Sequence, residues 1–480
     1  MFFEPELRVP IPATDILTYI FANPYYDPNK PVYIDASNPT RSISLVQART
    51  SIRQLIAGLG ARGIYYCMLV LAIIGLGGIY TGTNPSYTSL ELGHHFRTAE
   101  VRFVLSEPEI LGPVLEAAKA VGIRDSNVRI LNTLSAQLVP EGKVSWTELF
   151  NHGEENWIEF DDDVKSRTTA AARLFSSGTT GETALSQHPS HAAAAPSTHV
   201  GALKSGHTVY MMRRFDLPLF LQTCIKYQIT DLTLVPPLAI ALLMDDMTHE
   251  KPYLRSVRSA TCGAAPLDKS VQRRLGRLRG PGAPFTQAWG MTETTCVAIY
   301  FAYPESDDTG SVGRLVASVE AKLVDDQGKN ISAYDTRSEL CVRGPTATPG
   351  YFNNPAANAE SFDEDGWFHT GDNAYCDAES RKWYIVDRKK ELIKVRGFQV
   401  APPEIEAVLL SPRLLLMRRR PGKGEGLTEA EVRGHLEGKL AKYKALTGGV
   451  KFVEVIPKNA SGKILKRVLR EGGREERQGK

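Results

Sequence analysis

Short apolar runs alternate with segments of helical length along most of the chain. Residues 232–235 form one apolar run, and two prolines separate it from a second apolar segment at 238–244. Residues 257–261 form another strand-like run, which precedes a segment with helical periodicity at 268–278. Strands that alternate with helices are typical of α/β proteins. The pattern therefore predicts an α/β fold.

Three later apolar runs lie at 321–324, 339–343 and 383–386, with turn residues rather than helices between them. Such a spacing favours neighbouring antiparallel strands, because these need only short connections. We therefore expect an α/β fold of mixed character, in which an antiparallel α+β portion follows the alternating portion.

The character of the chain changes after Asp387, where residues 387–396 become strongly basic. Beyond them a pair of prolines opens a predicted helix, since proline suits the first turn of a helix. We place a domain boundary here, between residues 1–387 and residues 388–480. The chain of 480 residues is long enough for two or more packed units.

The most apolar stretch, residues 65–80, is shorter than the roughly 18 residues that a membrane-spanning helix needs. Glycines occupy its last part, so we expect a buried helix followed by a turn. The formal net charge of +3 is too close to balance to indicate a nucleic-acid partner. We therefore expect neither a membrane span nor a nucleic-acid partner.

The six cysteines are far apart and show neither C-x-x-C nor Cys/His ligand spacing. We expect reduced, mostly buried thiols that bind no metal. The first ten residues lack the basic segment and apolar core of a signal peptide. The last three residues are not the peroxisomal address Ser-Lys-Leu. These features together predict a cytoplasmic protein.

The first candidate for chemistry is the segment 174–181, which reads Leu-Phe-Ser-Ser-Gly-Thr-Thr-Gly. An apolar run that leads into hydroxyl residues and glycines exposes backbone N–H groups and hydroxyls that can surround a phosphate. No Gly-Lys-Ser/Thr sequence follows, so the loop is not of the Walker type. A Ser/Thr/Gly-rich surface loop without a ligand is the alternative interpretation.

The second candidate is the segment 287–294, which reads Gln-Ala-Trp-Gly-Met-Thr-Glu-Thr. Its glycine allows close approach of a ligand, and Thr292 contributes a hydroxyl. The Glu293 carboxylate supplies the hard oxygen that Mg²⁺ prefers. A solvated glutamate with no ligand is the alternative for this segment considered alone.

Two further segments carry charged residues that could bind a polar ligand. Asp372, at the end of Asp-Gly-Trp-Phe-His-Thr-Gly-Asp, can accept hydrogen bonds from both hydroxyls of a ribose if it lies in a buried loop. Arg388 can reinforce that contact. Lys463 follows a glycine turn in Pro-Lys-Asn-Ala-Ser-Gly-Lys, although an ordinary surface lysine is the alternative there.

In this order the four segments resemble the acyl-adenylate-forming superfamily: acyl-CoA synthetases, coumarate–CoA ligases, beetle luciferases and peptide-synthetase adenylation domains. The resemblance covers nearly the whole chain. Residues 397–402 and 459–463 are most similar to the coumarate–CoA-ligase-like group, which includes fungal acyl-CoA ligases of secondary metabolism. The resemblance implies a large N-terminal domain of packed sheets with helices and a small, mobile C-terminal α+β domain.

The implied activity is the ATP-dependent conversion of a carboxylic acid into an acyl-adenylate, followed by transfer to CoA, with Mg²⁺ as cofactor. By motif, the residues that hold the ATP phosphates are Ser176, Ser177, Gly178, Thr179 and Thr180. The residues implied around the adenine are Gly263, Ala264, Ala265 and Pro266. Further nucleotide contacts are implied for Gln287, Ala288 and Thr292.

The resemblance also assigns the remaining binding and catalytic residues. Glu293 would hold Mg²⁺, and Asp372 and Arg388 would bind the ribose. Catalysis would rest on Lys463, together with Glu293 and Thr292. Lys390 would be the hinge, and Lys394, Arg396 and Gly397 would be binding residues that follow it. Of these, Arg396 and Gly397 would contact CoA.

The chain departs from the family pattern at several points. The phosphate loop of the family continues with Pro-Lys-Gly, but here Ala184 occupies the position of the lysine. The stretch 182–191 is too short for a parallel crossover, which needs a dozen or more residues. A second junction near Gly63 and a third near Ser411 are also shortened, so some core elements are missing. A mis-spliced gene model and genuine divergence both explain these gaps.

Two alternative functions remain open from the residues. An adenylating enzyme can load a carrier-protein thiol instead of CoA, although no carrier domain is visible in the sequence. A catalytically impaired nucleotide-binding or scaffold homologue is favoured by Ala184 and by the shortened core. The acid substrate and the oligomeric state are not readable from the sequence.

Overall fold

The computed structural model describes residues 1–58, 66–83, 87–132, 136–175, 185–186, 195–212, 215–388, 393–395, 398–400, 402–409, 427–437, 445–446, 449–453 and 456. The α-helices are α1 Ile16–Phe21, α2 Leu45–Gly58, α3 Tyr66–Gly75, α4 Ser89–Thr98, α5 Leu111–Ala120, α6 Asp163–Thr168, α7 Ala202–Ser205, α8 Leu217–Lys226, α9 Pro236–Met244, α10 Met247–Glu250, α11 Lys269–Gly276, α12 Pro355–Ser361, α13 Pro402–Leu409 and α14 Glu429–Glu437. Short 3₁₀ or π segments lie at Pro108–Ile110, Asp125–Asn127, Trp146–His152, Ala195–Gly201 and Thr292–Thr294.

The strands of the first half are β1 Pro31–Asp35, β2 Ser42–Ser44, β3 Val104–Ser106, β4 Val128–Ile130, β5 Val144–Ser145, β6 Leu174–Phe175, β7 Leu185–Ser186, β8 Val209–Met211 and β9 Asp231–Leu234. Those of the second half are β10 Ser259–Cys262, β11 Phe285–Gln287, β12 Ile299–Tyr300, β13 Arg314–Leu315, β14 Glu320–Val324, β15 Ser338–Arg343, β16 Phe368–Cys376, β17 Trp383–Arg388, β18 Ile393–Val395 and β19 Phe398–Val400.

The strands form parallel and antiparallel sheets in different parts of the chain. Strands β3, β4 and β5 form one parallel sheet, and β9, β10 and β11 form another. In a third sheet β1 pairs antiparallel with β2 and parallel with β8. Strands β14 to β17 form an antiparallel sheet in sequence order. The mixed α/β class that the sequence predicts is confirmed.

Individual elements follow the predicted pattern closely. The apolar run at 232–235 falls on β9, and the helix after it begins at Pro236 rather than at residue 238. Proline suits this position because its fixed φ matches the helix and its missing N–H would be unpaired there anyway. Helix α11 begins after Asp268, whose carboxylate accepts a hydrogen bond from the Ser270 backbone N–H at 2.8 Å.

The apolar stretch at 65–80 contains helix α3 and a turn at Leu76 and Gly77, as expected. The helix is buried in a core built with α1, α2 and β1. Gly75 lies so close to Leu17 and Ile56 that a Cβ there would crowd both side chains. Among the described parts of the chain, every helix is too short or too polar to span a bilayer.

All six cysteines are free thiols, and five of them are buried. Burial raises the pKa of the Cys67, Cys224 and Cys262 thiols to about 12, so these side chains are protonated at neutral pH. Cys67 lies in the first core, where its Sγ is 2.9 Å from Nδ1 of the buried His199. The cysteines therefore act as small apolar core residues, as the sequence predicts.

The structure describes two residues of the shortened stretch 182–191, and they form strand β7. Strands β6 and β7 pair antiparallel, with Leu174 opposite Ser186 and Phe175 opposite Leu185. The other departures in this half, at Ala184 and at the junction near Gly63, and the rest of the shortened stretch lie outside the described residues.

We expect the chain to be poorly soluble or to bind a hydrophobic dye in its native state. Helix α9 is apolar on every face, yet Leu238, Ile240 and Met244 are only half-buried. A helix that is apolar all round is normally covered on all sides. Because burial contributes about 25 cal/mol per Å² and net stability is only about 5–15 kcal/mol, a lost core element removes much of the margin.

The fluorescence of a hydrophobic dye bound to the native protein and the shape of its thermal unfolding curve test this expectation. Restoring family-like segments at the junctions near Gly63 and Glu182 should lower dye binding and restore a cooperative thermal transition. A soluble monomer of the present sequence with one sharp transition and full turnover would show that the shortening is an adaptation rather than damage.

Candidate active site

Two loops meet at the carboxyl edge of the parallel sheet. Strands β10 and β11 are neighbours, with Cys262 opposite Gln287, so the loops that follow them leave the sheet side by side. The Gly263 N–H donates to the Leu234 carbonyl at 3.1 Å, and the Ala288 N–H donates to the Cys262 carbonyl at 2.9 Å. The remaining residues of the first loop are exposed: Ala264, Ala265 and Pro266. This edge is where ligands bind in open α/β sheets.

Gln287 holds these two loops together. Its Oε1 accepts a hydrogen bond from the Leu267 N–H at 2.9 Å, and its Nε2 donates to the Leu267 carbonyl and to Gln272 Oε1, both at 2.9 Å. Only 4% of Gln287 is exposed. Both amide hydrogens are therefore used within the protein. Gln287 therefore positions the loop that follows β10, and the nucleotide contact that the resemblance implies for it stays a prediction.

Glu293 lies within the short 3₁₀ segment Thr292–Thr294, and only 4% of the residue is exposed. Its Oε1 accepts a hydrogen bond from the Tyr351 hydroxyl at 3.0 Å, and its carbonyl accepts one from the Thr348 N–H at 2.8 Å. Burial and the neighbouring Glu293 carboxylate raise the pKa of Tyr351, so that the hydroxyl keeps its proton. Tyr351 is a site residue that the sequence reasoning missed.

The turn around Glu293 depends on a close approach of two backbone segments. A Cβ on Gly290 would overlap the carbonyl oxygen of Cys296, so only glycine fits at this position. Thr295 and Cys296 have φ values of 52° and 96°, in the left-handed region that few non-glycine residues adopt. Thr295 is fixed there by a 2.6 Å hydrogen bond from its hydroxyl to the Thr346 carbonyl. Non-glycine residues in such conformations cluster at functional sites.

Asp372 joins the antiparallel sheet to this turn. Its Oδ2 accepts a hydrogen bond from the indole Nε1–H of Trp289 at 2.8 Å, and only 4% of the residue is exposed. The sequence placed Asp372 in a buried loop, but it lies within strand β16, directly opposite Arg388 on β17. Along β16 every second residue is buried, and Asp372 belongs to this buried row. Trp289 is a second residue whose contribution the sequence reasoning missed.

The predicted site residues that the structure describes lie in a few segments, and their roles stay predictions. Those at or after the ends of β10 and β11 are Gly263, Ala264, Ala265, Pro266, Gln287, Ala288, Thr292 and Glu293, and Trp289 between them is hydrogen-bonded to Asp372. Arg388 ends β17 and Lys394 lies on β18. The other predicted site residues lie outside the described residues: Ser176, Ser177, Gly178, Thr179, Thr180, Lys390, Arg396, Gly397 and Lys463.

A cavity of about 480 Å³ lies beside the start of the phosphate segment. Helix α4 forms most of its wall, and Phe175 closes one side. The helix is set by a capping box in which the Thr88 N–H donates to Glu91 Oε2 at 2.8 Å. His95 of this helix stacks on Phe175, with ring centres 4.0 Å apart, and its Nε2 lies 2.9 Å from the Thr81 hydroxyl. The position of Phe175 is thereby fixed.

We expect His95 to make stability depend on pH. Burial, with a smaller contribution from His94, lowers the pKa of His95 from 6.5 to about 4. As the pH falls, this histidine is protonated in the unfolded chain before it is protonated in the folded chain. The free energy of unfolding is therefore unaffected by His95 above pH 6.5 and decreases as the pH drops toward 4. The full loss is at most about 3 kcal/mol.

Urea unfolding at several pH values between 7.5 and 4 measures this dependence. His95→Asn should flatten the slope, whereas His94→Asn, which changes an exposed neighbour and leaves the burial of His95 in place, should keep most of it. Identical slopes for the two variants would contradict the assignment.

The chain matches known proteins along its whole length. The family model described as AMP-binding enzyme matches residues 182–352. Phenylacetyl-CoA ligase epaB of Aspergillus niger is 46% identical, and the alignment covers 98% of each chain. Acyl-CoA ligase azaF of Aspergillus niger is 45% identical, with 98% of this chain and 100% of that protein covered. The alignment with epaB extends over 535 positions, more than the 480 residues of this chain, so part of it faces gaps here.

Solved structures show the same fold. The anthranilate CoA ligase AuaEII in complex with anthranoyl-AMP superimposes with a TM-score of 0.82, 19% identity, and coverage of 98% of this chain and 99% of that one. ATP-bound MatB from Rhodopseudomonas palustris gives a TM-score of 0.76 at 24% identity, with 96% and 99% covered. These likenesses establish the fold, and the fungal relatives establish the family. The chain therefore belongs to the AMP-binding enzyme family, within its group of fungal acyl-CoA ligases.

Proposed function

We propose that the protein is an AMP-forming acyl-CoA or aryl-CoA ligase that activates a carboxylic acid as its acyl-adenylate and transfers the acyl group to CoA. One observation carries this proposal: Glu293 lies in the segment that follows β11, and Trp289 of the same segment is hydrogen-bonded to Asp372. The Trp289–Asp372 and Tyr351–Glu293 hydrogen bonds fix both carboxylates in place. A buried carboxylate for a metal and another for a ribose are what binding of ATP with Mg²⁺ requires.

The geometry around Glu293 fits a magnesium ion bound together with a phosphate. Its carboxylate makes one hydrogen bond within the described residues, from Tyr351, which leaves the second oxygen available for a metal. The described residues contain no group of three or more metal-ligating side chains. Mg²⁺ is usually held by one or two carboxylates plus substrate phosphates and water, so a single glutamate is sufficient. When bound, Mg²⁺ neutralises charge that builds on phosphoryl oxygens.

The remaining site residues extend the proposal to the whole reaction. Residues 176–180 hold the ATP phosphates, and Asp372 with Arg388 binds the ribose. Lys463 stabilises the charge that develops when the acid attacks the α-phosphorus and pyrophosphate leaves. Arg396 and Gly397 contact CoA, whose sulfur then attacks the activated carbonyl while AMP leaves. No nucleophile from the enzyme is needed.

Adenylation and transfer to CoA use the same face of the substrate, so the protein must rearrange between these two half-reactions. We place the moving unit at residues 388–480, with Lys390 as the hinge, and the static unit at residues 1–387. The basic composition of residues 387–396 and the change of character after Asp387 support this division. Domain movements of this kind commonly set the rate of multistep enzymes.

The relatives narrow the substrate class. The names of epaB and azaF identify a phenylacetyl-CoA ligase and an acyl-CoA ligase. We therefore propose an aromatic, arylacetic or aliphatic monocarboxylic acid as substrate, used in secondary metabolism. A reducing, cytoplasmic location is part of the proposal, and the six free thiols support it.

Pyrophosphate release with a panel of such acids, combined with mass spectrometry of the products, tests the function. A CoA ligase forms an acyl-CoA only when acid, ATP and CoA are all present. An enzyme that loads a carrier protein would release pyrophosphate but leave CoA unmodified. A folded chain that releases no pyrophosphate with any acid would contradict the proposal and favour the catalytically impaired homologue.

Ala184 offers a separate test of the departure in the phosphate loop. Replacing Ala184 by lysine should lower the KM for ATP about tenfold, because a charge-assisted contact to phosphate is restored. Ala184→Met, which adds similar length without charge, is the matched control and should leave the KM unchanged. A folded lysine variant with an unchanged or higher KM would show that loop geometry, not charge, limits ATP binding.

A further inference from the structure

Arg173 connects strand β6 with two segments far from it in the sequence, around Glu100 and around Phe352. It immediately precedes β6, which leads into the phosphate segment at 176–180. Its backbone N–H donates to the Tyr80 carbonyl at 2.8 Å, and the Tyr80 N–H donates to the Ala171 carbonyl at 3.0 Å. The backbone of Arg173 is therefore fixed just before the phosphate segment begins.

The Arg173 side chain uses both the charge and the plane of its guanidinium. One nitrogen donates to the Ala99 carbonyl at 2.8 Å and to Glu100 Oε2 at 2.9 Å. The guanidinium carbon lies only 3.5 Å from the ring centre of Phe352. The side chain is 13% exposed, so this stacking is largely shielded from water. A lysine cannot replace this contact fully, because its ammonium group is a compact charge that has no plane to stack on the ring.

Phe352 is the neighbour of Tyr351, the residue that holds Glu293. The Tyr351 backbone N–H donates to Asn358 Oδ1 at 2.6 Å, which fixes this loop independently. Asn353 Nδ2 donates to Glu100 Oε1 at 3.3 Å, so Glu100 contacts both Arg173 and the loop. Glu100 and Asn353 have φ values of 55° and 52°, a left-handed conformation that surrounding contacts must hold in place.

We propose that Arg173 is a positioning residue that ties strand β6 to the loop of Tyr351 and so fixes the position of the metal carboxylate Glu293 relative to β6. The path runs from β6 through the Arg173–Phe352 stack to Tyr351 and Glu293. The inference rests on the proposed function, because it assumes that ATP and Mg²⁺ bind at this site. Arg173 itself touches neither Glu293 nor, in this assignment, the substrates.

The test separates positioning from mere support of the fold. Arg173→Ala should raise the KM for ATP and the Mg²⁺ concentration for half-maximal rate together, each about tenfold, since a charge-assisted contact and a stack are lost. Arg173→Lys should recover only part of this. Phe352→Leu should produce a smaller rise, and the double variant should be no worse than Arg173→Ala, because coupled residues are not additive.

Arg167→Ala is the matched control, since it removes an arginine from an exposed ion pair with Asp163 a short distance earlier in the chain. It should leave both constants unchanged. A purely structural Arg173 would lower the melting temperature and the active fraction but leave the KM for ATP as it is, and that result would overturn the inference. Additive effects of Arg173→Ala and Phe352→Leu would overturn it as well.

Equilibrium binding of ATP with Mg²⁺, measured by calorimetry without any acid, keeps this test apart from the proposed function. If the wild-type chain binds ATP but turns over no acid, a roughly tenfold weaker affinity of Arg173→Ala still supports the inference. Equal affinity of the two proteins would overturn it. A folded wild-type chain that binds no ATP would overturn both proposals.

Discussion

Replacing Lys463 by alanine is expected to slow adenylation about 100- to 1000-fold, which is the usual cost of removing one group that stabilises transition-state charge. The reason lies in the first half-reaction, where negative charge builds on the phosphoryl oxygens as pyrophosphate leaves. The second half-reaction, in which CoA attacks an acyl-adenylate that already exists, has no such need. Thioester formation from supplied acyl-adenylate should therefore remain close to the wild-type rate.

Both half-reactions can be followed separately, by pyrophosphate release and by acyl-CoA formation from synthetic acyl-adenylate. Lys458→Ala is the matched control, because it removes a lysine from the same segment ahead of the glycine turn. It should leave adenylation intact. Equal loss of both half-reactions in Lys463→Ala would show that the residue supports the fold or the CoA step instead.

Replacing Glu293 by glutamine is expected to raise the Mg²⁺ requirement for adenylation more than tenfold, because a neutral amide oxygen binds Mg²⁺ much more weakly than a carboxylate. The amide oxygen can still accept the hydrogen bond from Tyr351. The fold around the turn should therefore survive, and the melting temperature without ligands should stay close to that of the wild type.

Magnesium titration of pyrophosphate release measures this effect. Glu305→Gln is the control, since Glu305 forms an ion pair with Arg314 at 2.7 Å away from the turn. Tyr351→Phe should show a smaller rise, because it loosens the carboxylate without removing its charge. An unchanged magnesium profile for Glu293→Gln in a folded protein would remove Glu293 from the metal site.

The periodic elements of the fold could be predicted from the sequence. Strand β9, helix α9 and the antiparallel strands β14, β15 and β17 all lie where apolar runs and prolines placed them. Local patterns determine such elements because burial of one face and the geometry of proline act within a few residues. The antiparallel pairing of β6 and β7 was not predicted, since two-residue strands carry no periodicity of their own.

The site was predicted in its residue types but not in its hydrogen bonds. Glu293 and Asp372 were chosen for chemistry; both carboxylates are buried and hydrogen-bonded, and their roles stay predictions. Gln287 was assigned to the nucleotide, yet its amide bonds to Leu267 and Gln272. A glutamine looks the same in the sequence whether it faces a ligand or a neighbouring loop. The two groups that hold the carboxylates, Trp289 and Tyr351, look like ordinary core aromatics.

The hydrogen bonds that define the site also set the order in which it can form during folding. Trp289 and Asp372 are 83 residues apart, and Tyr351 and Glu293 are 58 residues apart. Each contact closes a long loop, which costs chain entropy before any favourable contact is made. Contacts of this kind slow folding and form late. The proposed nucleotide pocket is therefore complete only after strand β16 has joined its sheet, which requires residue 372 to be synthesised and folded.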